Sequence, residues 1–319
     1  MSGRPRIVVV AGVTAAGKTG AAIALARHLD GELVGADSVQ IYRGFDIGSA
    51  KPTAAELGGV RHHLIDVLDP DASIDAAGFA ALADGAIAEV ASRGRVPLVV
   101  GGTGLWIRAL LRGLVELPPP DPAVRARLEA EADTAGSAAL HARLAAVDPR
   151  CADRVHPHDR RRIVRALEVH EQTGRPLGEL QAEHALGAPR YEALPFVLDL
   201  PREALYAALR ARIDAMLEAG WVEEVRALLA RWGPEVRPMK SVGYRQMAAH
   251  VREGVPLDEA RRQAYQATRV YTRRQRTWFR GELDERPGSG DLPPTQTTAA
   301  ELVRRPSMDA IRRWVRRGR

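Results

Sequence analysis

Short apolar runs alternate with longer stretches of helical periodicity along the first part of the chain. The β-branched run at 7–10 predicts a buried strand that breaks at Gly12, and the Ala- and Leu-rich stretch 20–29 predicts the helix after it. Residues 32–36, 62–67 and 96–100 read as further strands, 76–92 reads as a helix, and Trp106 opens another. Strand, loop and helix repeated in this order predict a parallel sheet with helices on its faces. The pattern stops at Pro118, Pro119 and Pro120. From 121 to 188 only helical segments follow, at 122–133, 137–146, 159–172 and 178–184, which predicts an all-helical insertion. Residues 191–200 return to strand composition and should rejoin the sheet, before helices at 203–219, 222–232 and 257–280. A Pro-, Gly-, Ser- and Thr-rich linker (284–298) and a short basic amphipathic tail (308–319) follow, both expected to be peripheral.

The loop after the first strand carries the clearest chemistry. Gly12, Val13, Thr14, Ala15, Ala16, Gly17, Lys18 and Thr19 complete a G-x-x-x-x-G-K-T pattern between a strand and a helix, the context in which the motif is a P-loop. Its glycines let backbone N–H groups curl around phosphate oxygens, Lys18 adds a mobile positive charge, and the Thr19 hydroxyl is placed to hold Mg²⁺. The expected fold is therefore α/β, a P-loop NTPase-like parallel sheet flanked by helices. Residues 1–119 and 189–283 would form this core domain, 120–188 the helical insertion domain, and 284–319 the linker and tail. A pyrophosphate-bearing ligand is expected, but kinases, NTPases and some transferases share the motif.

Residues 32–36 should deliver Asp37, Ser38, Val39 and Gln40 to the carboxyl edge of the sheet, where open α/β folds bind ligands. A carboxylate there can take a proton, help hold Mg²⁺, or cap a turn. Gln40 offers a two-sided amide to a nucleobase edge. The cluster Gly101-Gly102-Thr103-Gly104 permits close backbone approach at a neighbouring strand end. His62 and His63, adjacent on a strand, point to opposite faces and read as structural rather than as metal ligands.

Charge alters this picture. The net charge of +6 suggests a polyanionic partner. On the 257–280 helix, Arg262, Arg269, Arg273, Arg276 and Arg280 form one stripe interleaved with Tyr265, Tyr271, Trp278 and Phe279, a pattern suited to a nucleic-acid backbone with unstacked bases. The only lysines are Lys18, Lys51 and Lys240, which mark candidate places where a compact ammonium is needed and a guanidinium would not serve. A single cysteine, Cys151, excludes an intrachain disulfide, and no apolar stretch approaches a membrane span, so a cytoplasmic location is expected.

Taken in order, the P-loop, Asp37-Ser38-Val39-Gln40-Ile41-Tyr42-Arg43, Ile47-Gly48-Ser49-Ala50-Lys51-Pro52, His62-His63-Leu64-Ile65-Asp66, Gly101-Gly102-Thr103-Gly104-Leu105, 161–168, Val242-Gly243-Tyr244-Arg245-Gln246 and 273–279 resemble the tRNA dimethylallyltransferases. The resemblance implies transfer of a dimethylallyl group from dimethylallyl diphosphate to N6 of the adenosine just 3′ of the anticodon, in tRNAs reading codons that begin with U. It makes Gly12 to Thr19 the diphosphate site, Thr19 the Mg²⁺ contact, Asp37 the general base, and Thr103 and Arg212 residues beside the reacting centre. The tRNA contacts it implies are Asp37, Ser38, Val39, Gln40 and Thr103, then Arg161, Arg162, Ile163, Val164 and Arg165. Further along they are Lys240, Ser241, Val242, Gly243, Tyr244 and Arg245, then Arg273, Arg274, Gln275, Arg276, Thr277, Trp278, Phe279 and Arg280. The partners implied are the tRNA anticodon stem-loop and dimethylallyl diphosphate, with the protein acting as a monomer. Val13 and Ala16 depart from the proline and serine usual in this P-loop, and Trp106 stands for a usual tyrosine. A small-molecule kinase, an isopentenyltransferase of free adenine nucleotides and a non-catalytic RNA-binding module are the alternatives.

Overall fold

The computed structural model describes residues 4–185, 189–283 and 291–317, in two compact units: 1–111 with 190–319, and 112–189. The first unit begins β1 (Arg6–Gly12), α1 (Lys18–Leu29), β2 (Gly31–Ala36), α2 (Ala54–Leu57), β3 (His62–His63), α3 (Ala76–Ser92), β4 (Val96–Gly101) and α4 (Gly104–Arg112). The second contains α5 (Pro122–Ala135), α6 (Ser137–Val147), α7 (Pro149–Ala152), α8 (Arg160–Thr173) and α9 (Leu177–Ala185). The chain then returns to the first unit through β5 (Glu192–Leu198), α10 (Arg202–Glu218), α11 (Trp221–Trp232), a 3₁₀ turn (Arg237–Lys240), α12 (Tyr244–Glu253) and α13 (Leu257–Glu282). It closes with β6 (Gln296–Thr297), α14 (Ala299–Leu302) and α15 (Arg305–Arg316).

The sheet runs β3-β2-β4-β1-β5-β6 with every pair parallel. Strands buried on both faces read as continuous apolar runs, which is why β1, β2 and β4 are legible in sequence. Leu25 and Ala26 of α1, Val8, Val10, Leu98 and Val100 of the sheet, and Ile311, Trp314 and Val315 of α15 belong to one buried cluster.

Three expectations are corrected. The strand expected at 62–67 is only two residues long, because Leu64 and Asp66 take positive φ and turn the chain away from the ladder. The units divide at Leu111/Arg112 and Pro189/Arg190, ahead of the triple proline on the first crossing. Residues 291–317 are no peripheral tail: β6 pairs with β5, and α15 buries Ala310, Ile311, Trp314 and Val315. Of the expected linker, residues 284–290 lie outside the described residues.

The helical unit has its own core, to which Leu128, Leu140, Leu144, Ile163 and Leu167 belong. At its centre Glu168, fully buried, accepts from Arg125 and Arg165 at 2.8 Å each and from the Asp121 N–H at 2.9 Å. Asp159 caps α8 by accepting from the Arg162 N–H.

Candidate active site

Strand register assembles the site. Ala11 of β1, Gly101 of β4 and Ala36 of β2 are lateral neighbours, so the loops that begin at Gly12, Gly102 and Asp37 leave the same edge side by side. Adjacent strands lie about 4.8 Å apart, which holds these loops within reach of one small ligand. Gly12 has φ 137°, and a Cβ there would stand 2.1 Å from the Leu198 carbonyl oxygen, so only glycine fits. Gly17 enters α1 in the left-handed conformation and no side chain caps the helix, leaving the N–H groups of its first turn to an anion. Val13 and Ala16 are buried in the core beneath the loop, so their departure from proline and serine alters packing there rather than the phosphate-facing backbone. Trp106 is also buried, stacked on Phe79 with centroids 4.4 Å apart.

A cavity of about 830 Å³ opens beside the P-loop, lined by Thr14, Lys18, Thr19, Asp37, Gln40 and Arg212 among others. Lys18 Nζ donates to the Val13 carbonyl at 2.8 Å. Burial pulls the Lys18 ammonium down to about 8, the Arg212 charge pushes in the same direction, and Asp37 opposes them. Burial likewise lowers Arg212, against the pull of Asp37. Two desolvated cations facing one cavity are unfavourable until an anion arrives.

A measurable consequence follows for Lys18. Its folded-state value lies below that of the unfolded chain, so the unfolded state binds more protons between about pH 8 and 10.5 and the free protein gains stability as pH rises through that window. Bound diphosphate favours the ammonium and reverses the shift. Calorimetric titration with inorganic diphosphate at pH 8, in buffers of different ionisation enthalpy, should show net proton uptake that is lost in Lys18→Met.

Asp37 caps its turn and still faces the cavity. Its Oδ1 accepts from the N–H groups of Val39 (2.9 Å) and Gln40 (3.2 Å), capping the turn, and the cap uses only one oxygen of a carboxylate that lines the cavity. Thr103 supports that turn: its Oγ1 accepts from the Ser38 N–H at 3.1 Å, and its own N–H donates to Ala36 at 3.3 Å. The Gln40 amide donates to the carbonyls of Ser49 (3.0 Å) and Ala50 (3.1 Å), and Arg212 Nη2 donates to Ser49 at 3.2 Å. Gln40 therefore holds the 46–50 loop with the donors that would otherwise read a base.

Glu224 and Tyr244 complete that loop's support. Glu224 accepts from the N–H groups of Asp46 (3.0 Å), Ile47 (2.6 Å) and Gly48 (3.2 Å), and Tyr244 donates its hydroxyl to the same carboxylate at 2.6 Å. Burial and Glu224 raise the Tyr244 phenol well above its ordinary value, so it stays a donor. Neither supporting role is legible in sequence, because Glu224 stands 176 residues from Gly48 and nothing local marks the pairing. Of the three lysines, Lys51 ties Asp46 and Asp66 (2.5 Å each) to the Tyr42 carbonyl (3.0 Å), whereas Lys240 is exposed and pairs with Glu235. His63 bonds Glu32 at 2.7 Å; His62 lines the cavity, and burial lowers it to about 4, keeping the ring neutral.

The stretches assigned to tRNA by resemblance divide by exposure. Arg161 and Arg162 are exposed, Arg165 is held by Glu168 and the Pro118 carbonyl, and Ile163 and Val164 are buried in the helical unit's core, which removes those two side chains from RNA contact. Lys240, Val242 and Arg245 are exposed; Ser241 is half-buried, and Gly243 and Tyr244 are buried. On α13, Arg273, Arg274, Thr277 and Arg280 are exposed and Trp278 is half-buried, whereas Gln275 and Phe279 face the interior. The arginine stripe is partly spent within the protein: Arg276 binds Asp199 through two bonds, at 2.6 and 2.7 Å, and Arg269 lies 4.3 Å over the Tyr206 ring.

The family model described as IPP transferase matches residues 40–282. The tRNA dimethylallyltransferase of Anaeromyxobacter dehalogenans is 54% identical over 87% of this chain and 90% of its own length. The chain belongs to this family. The enzyme of the same name from Anaeromyxobacter sp. strain K is 51% identical over 96% of this chain and all of its own. Among solved structures, the tRNA isopentenylpyrophosphate transferase of Staphylococcus epidermidis has a TM-score of 0.69 at 30% identity, covering 98% of this chain and 100% of that one. A eukaryotic dimethylallyltransferase acting on tRNA has a TM-score of 0.73 at 26% identity, over 86% and 70%. No helix among the described residues is long and apolar enough to cross a membrane.

Proposed function

We propose that this family member transfers a dimethylallyl group from dimethylallyl diphosphate to N6 of the adenosine 3′-adjacent to the anticodon, in tRNAs reading U-starting codons, and works in the cytoplasm as a monomer. The observation that carries the reading is the meeting of a P-loop, the desolvated Lys18 and Arg212 cations and the Asp37 carboxylate in a single cavity. The N6 lone pair attacks C1 of the dimethylallyl group. The C1–O bond breaks with its electrons going to the diphosphate, and the N6 proton passes to Asp37. Adenine N6 is a poor nucleophile because its lone pair is conjugated with the ring, so a carboxylate that takes the proton as the C–N bond forms supplies what the step lacks. Lys18, Arg212 and the P-loop N–H groups bind the donor and stabilise the charge growing on the leaving group. Thr103 keeps the Asp37 turn in place.

The donor set also fits Mg²⁺. No group of three metal-binding side chains occurs among the described residues, and none is needed, since this ion takes one or two protein oxygens together with phosphate oxygens and water. The Thr19 hydroxyl would hold it, and the ion would supply further charge neutralisation to the diphosphate. Exposed Arg161, Arg162, Lys240, Arg245, Arg273, Arg274 and Arg280 would meet tRNA phosphates, and the reacting base must be flipped out to reach the cavity.

Mass spectrometry of an anticodon stem-loop, incubated with protein, Mg²⁺ and dimethylallyl diphosphate beside AMP and ATP controls, tests the reading. One prenyl group on the adenosine 3′ of the anticodon is the expected product. Prenylated AMP would identify a free-nucleotide enzyme instead, and ATP consumption without prenylation a kinase.

A further inference from the structure

We infer that Gln275 is a positioning residue for the diphosphate loop, and that its role within the 273–280 stretch is distinct from RNA contact. The inference rests on the proposed reaction for its kinetic consequence, but its geometry stands independently. Gln275 is 5% exposed and its one amide bridges two of the loops that frame the cavity edge. Its Oε1 accepts from both the N–H (2.9 Å) and the hydroxyl (3.2 Å) of Thr14 in the P-loop, and its Nε2 donates to the Gly102 carbonyl at 3.0 Å.

The neighbouring chain is shaped around that amide. A Cβ on Gly102 would stand 2.4 Å from Gln275 Nε2, so the absence of a side chain at Gly102 is what allows the approach. One residue on, Arg276 fastens α13 to the end of β5 through Asp199 and the Leu200 carbonyl. Tyr271, one turn earlier, is half-buried beside Gln275 and Asp37, and burial and the Asp37 charge raise its phenol. The buried face of α13 thus holds the ends of β1, β4 and β5 in register, while Arg273, Arg274 and Arg280 are exposed.

An amide is the one side-chain group of this size that can accept from Thr14 and donate to Gly102 at once. Methionine fills the space and can do neither. Glutamate keeps the acceptor and sets an oxygen against the Gly102 carbonyl. Losing these bonds while leaving the half-buried Thr14 and buried Gly102 groups unpaired should loosen the P-loop before any ligand arrives.

The test combines three variants, Gln275→Met, Gln275→Glu and Gly102→Ala, with three readouts: the Kd for inorganic diphosphate, the KM for dimethylallyl diphosphate, and the Kd for an anticodon stem-loop. Gln275→Met should weaken inorganic diphosphate binding and raise donor KM by about tenfold. Stem-loop affinity should stay within about twofold, a change too small to reflect a lost phosphate or base contact. Gly102→Ala should reproduce the pattern from the other side of the same bond, and Gln275→Glu decides the matter should the methionine variant fail to fold. Stem-loop affinity falling while diphosphate binding holds would overturn the inference and make Gln275 an RNA contact. Lower thermal stability with both ligands bound normally would reduce it to a packing residue. Wild-type protein that does not bind inorganic diphosphate at all would instead sink the proposed reaction, so the two failures are distinguishable.

Discussion

Asp37→Asn is expected to lower dimethylallyl transfer by about 10²–10⁴-fold, the usual worth of a positioned general base. It should leave the unfolding temperature close to that of the unchanged protein. The asparagine carbonyl oxygen can still accept from Val39 and Gln40, so the turn cap survives while the proton acceptor is lost. Asp37→Ala would remove both functions, and the loss of the cap alone costs about 1 kcal/mol. Comparing the two variants by transfer rate and thermal melt therefore separates the observed turn cap from the proposed base role of this carboxylate. Full activity in the asparagine variant would leave Asp37 with its structural role alone and move the base to another residue.

Trp314→Ala is expected to destabilise the first unit by about 3–5 kcal/mol, the range for emptying a buried tryptophan site. The indole is 6% exposed in the cluster shared by α1, the sheet and α15. Arg6 lies 4.9 Å over its ring and donates to the Trp314 carbonyl at 2.6 Å, while also pairing with Glu192. The last helix is thereby tied to the first strand and to β5. Exposed Arg313, whose side chain makes a 3.4 Å contact with Asp291 among the described residues, serves as the control, and its alanine variant should stay within about 0.5 kcal/mol. Denaturant melts of both variants decide whether residues 291–317 belong to the folded core. Equal midpoints for Trp314→Ala and unchanged protein would return them to the peripheral role that the sequence suggests.

That tail shows why a basic amphipathic segment misleads. In α15 the arginines dominate the composition, yet Ile311, Trp314 and Val315 fall on one face, and the surface that covers them is made by α1, remote in sequence. The short pairing of β6 with β5 has the same character, since two residues carry no periodicity. The expected strand at 62–67 erred in the other direction: its composition suits a strand, but positive φ at Leu64 and Asp66 ends the ladder after His63.

The sequence by itself determined the motif-level chemistry and most of the elements. Burial on both sheet faces enforces apolar runs, helices enforce their period, and a P-loop needs its glycines and lysine at fixed spacing, so local physics writes all of these into neighbouring residues. Motif resemblance could also name the candidate base and the basic stretches. Only the tertiary structure decided which residues of a motif do which work. It gave Gln40 to the 46–50 loop, buried Ile163, Val164 and Phe279, turned Gln275 toward Thr14 and Gly102, and brought Glu224 to three N–H groups far away in the chain. Each of those assignments depends on which face of an element meets another element distant in sequence, and spacing along the chain does not encode that.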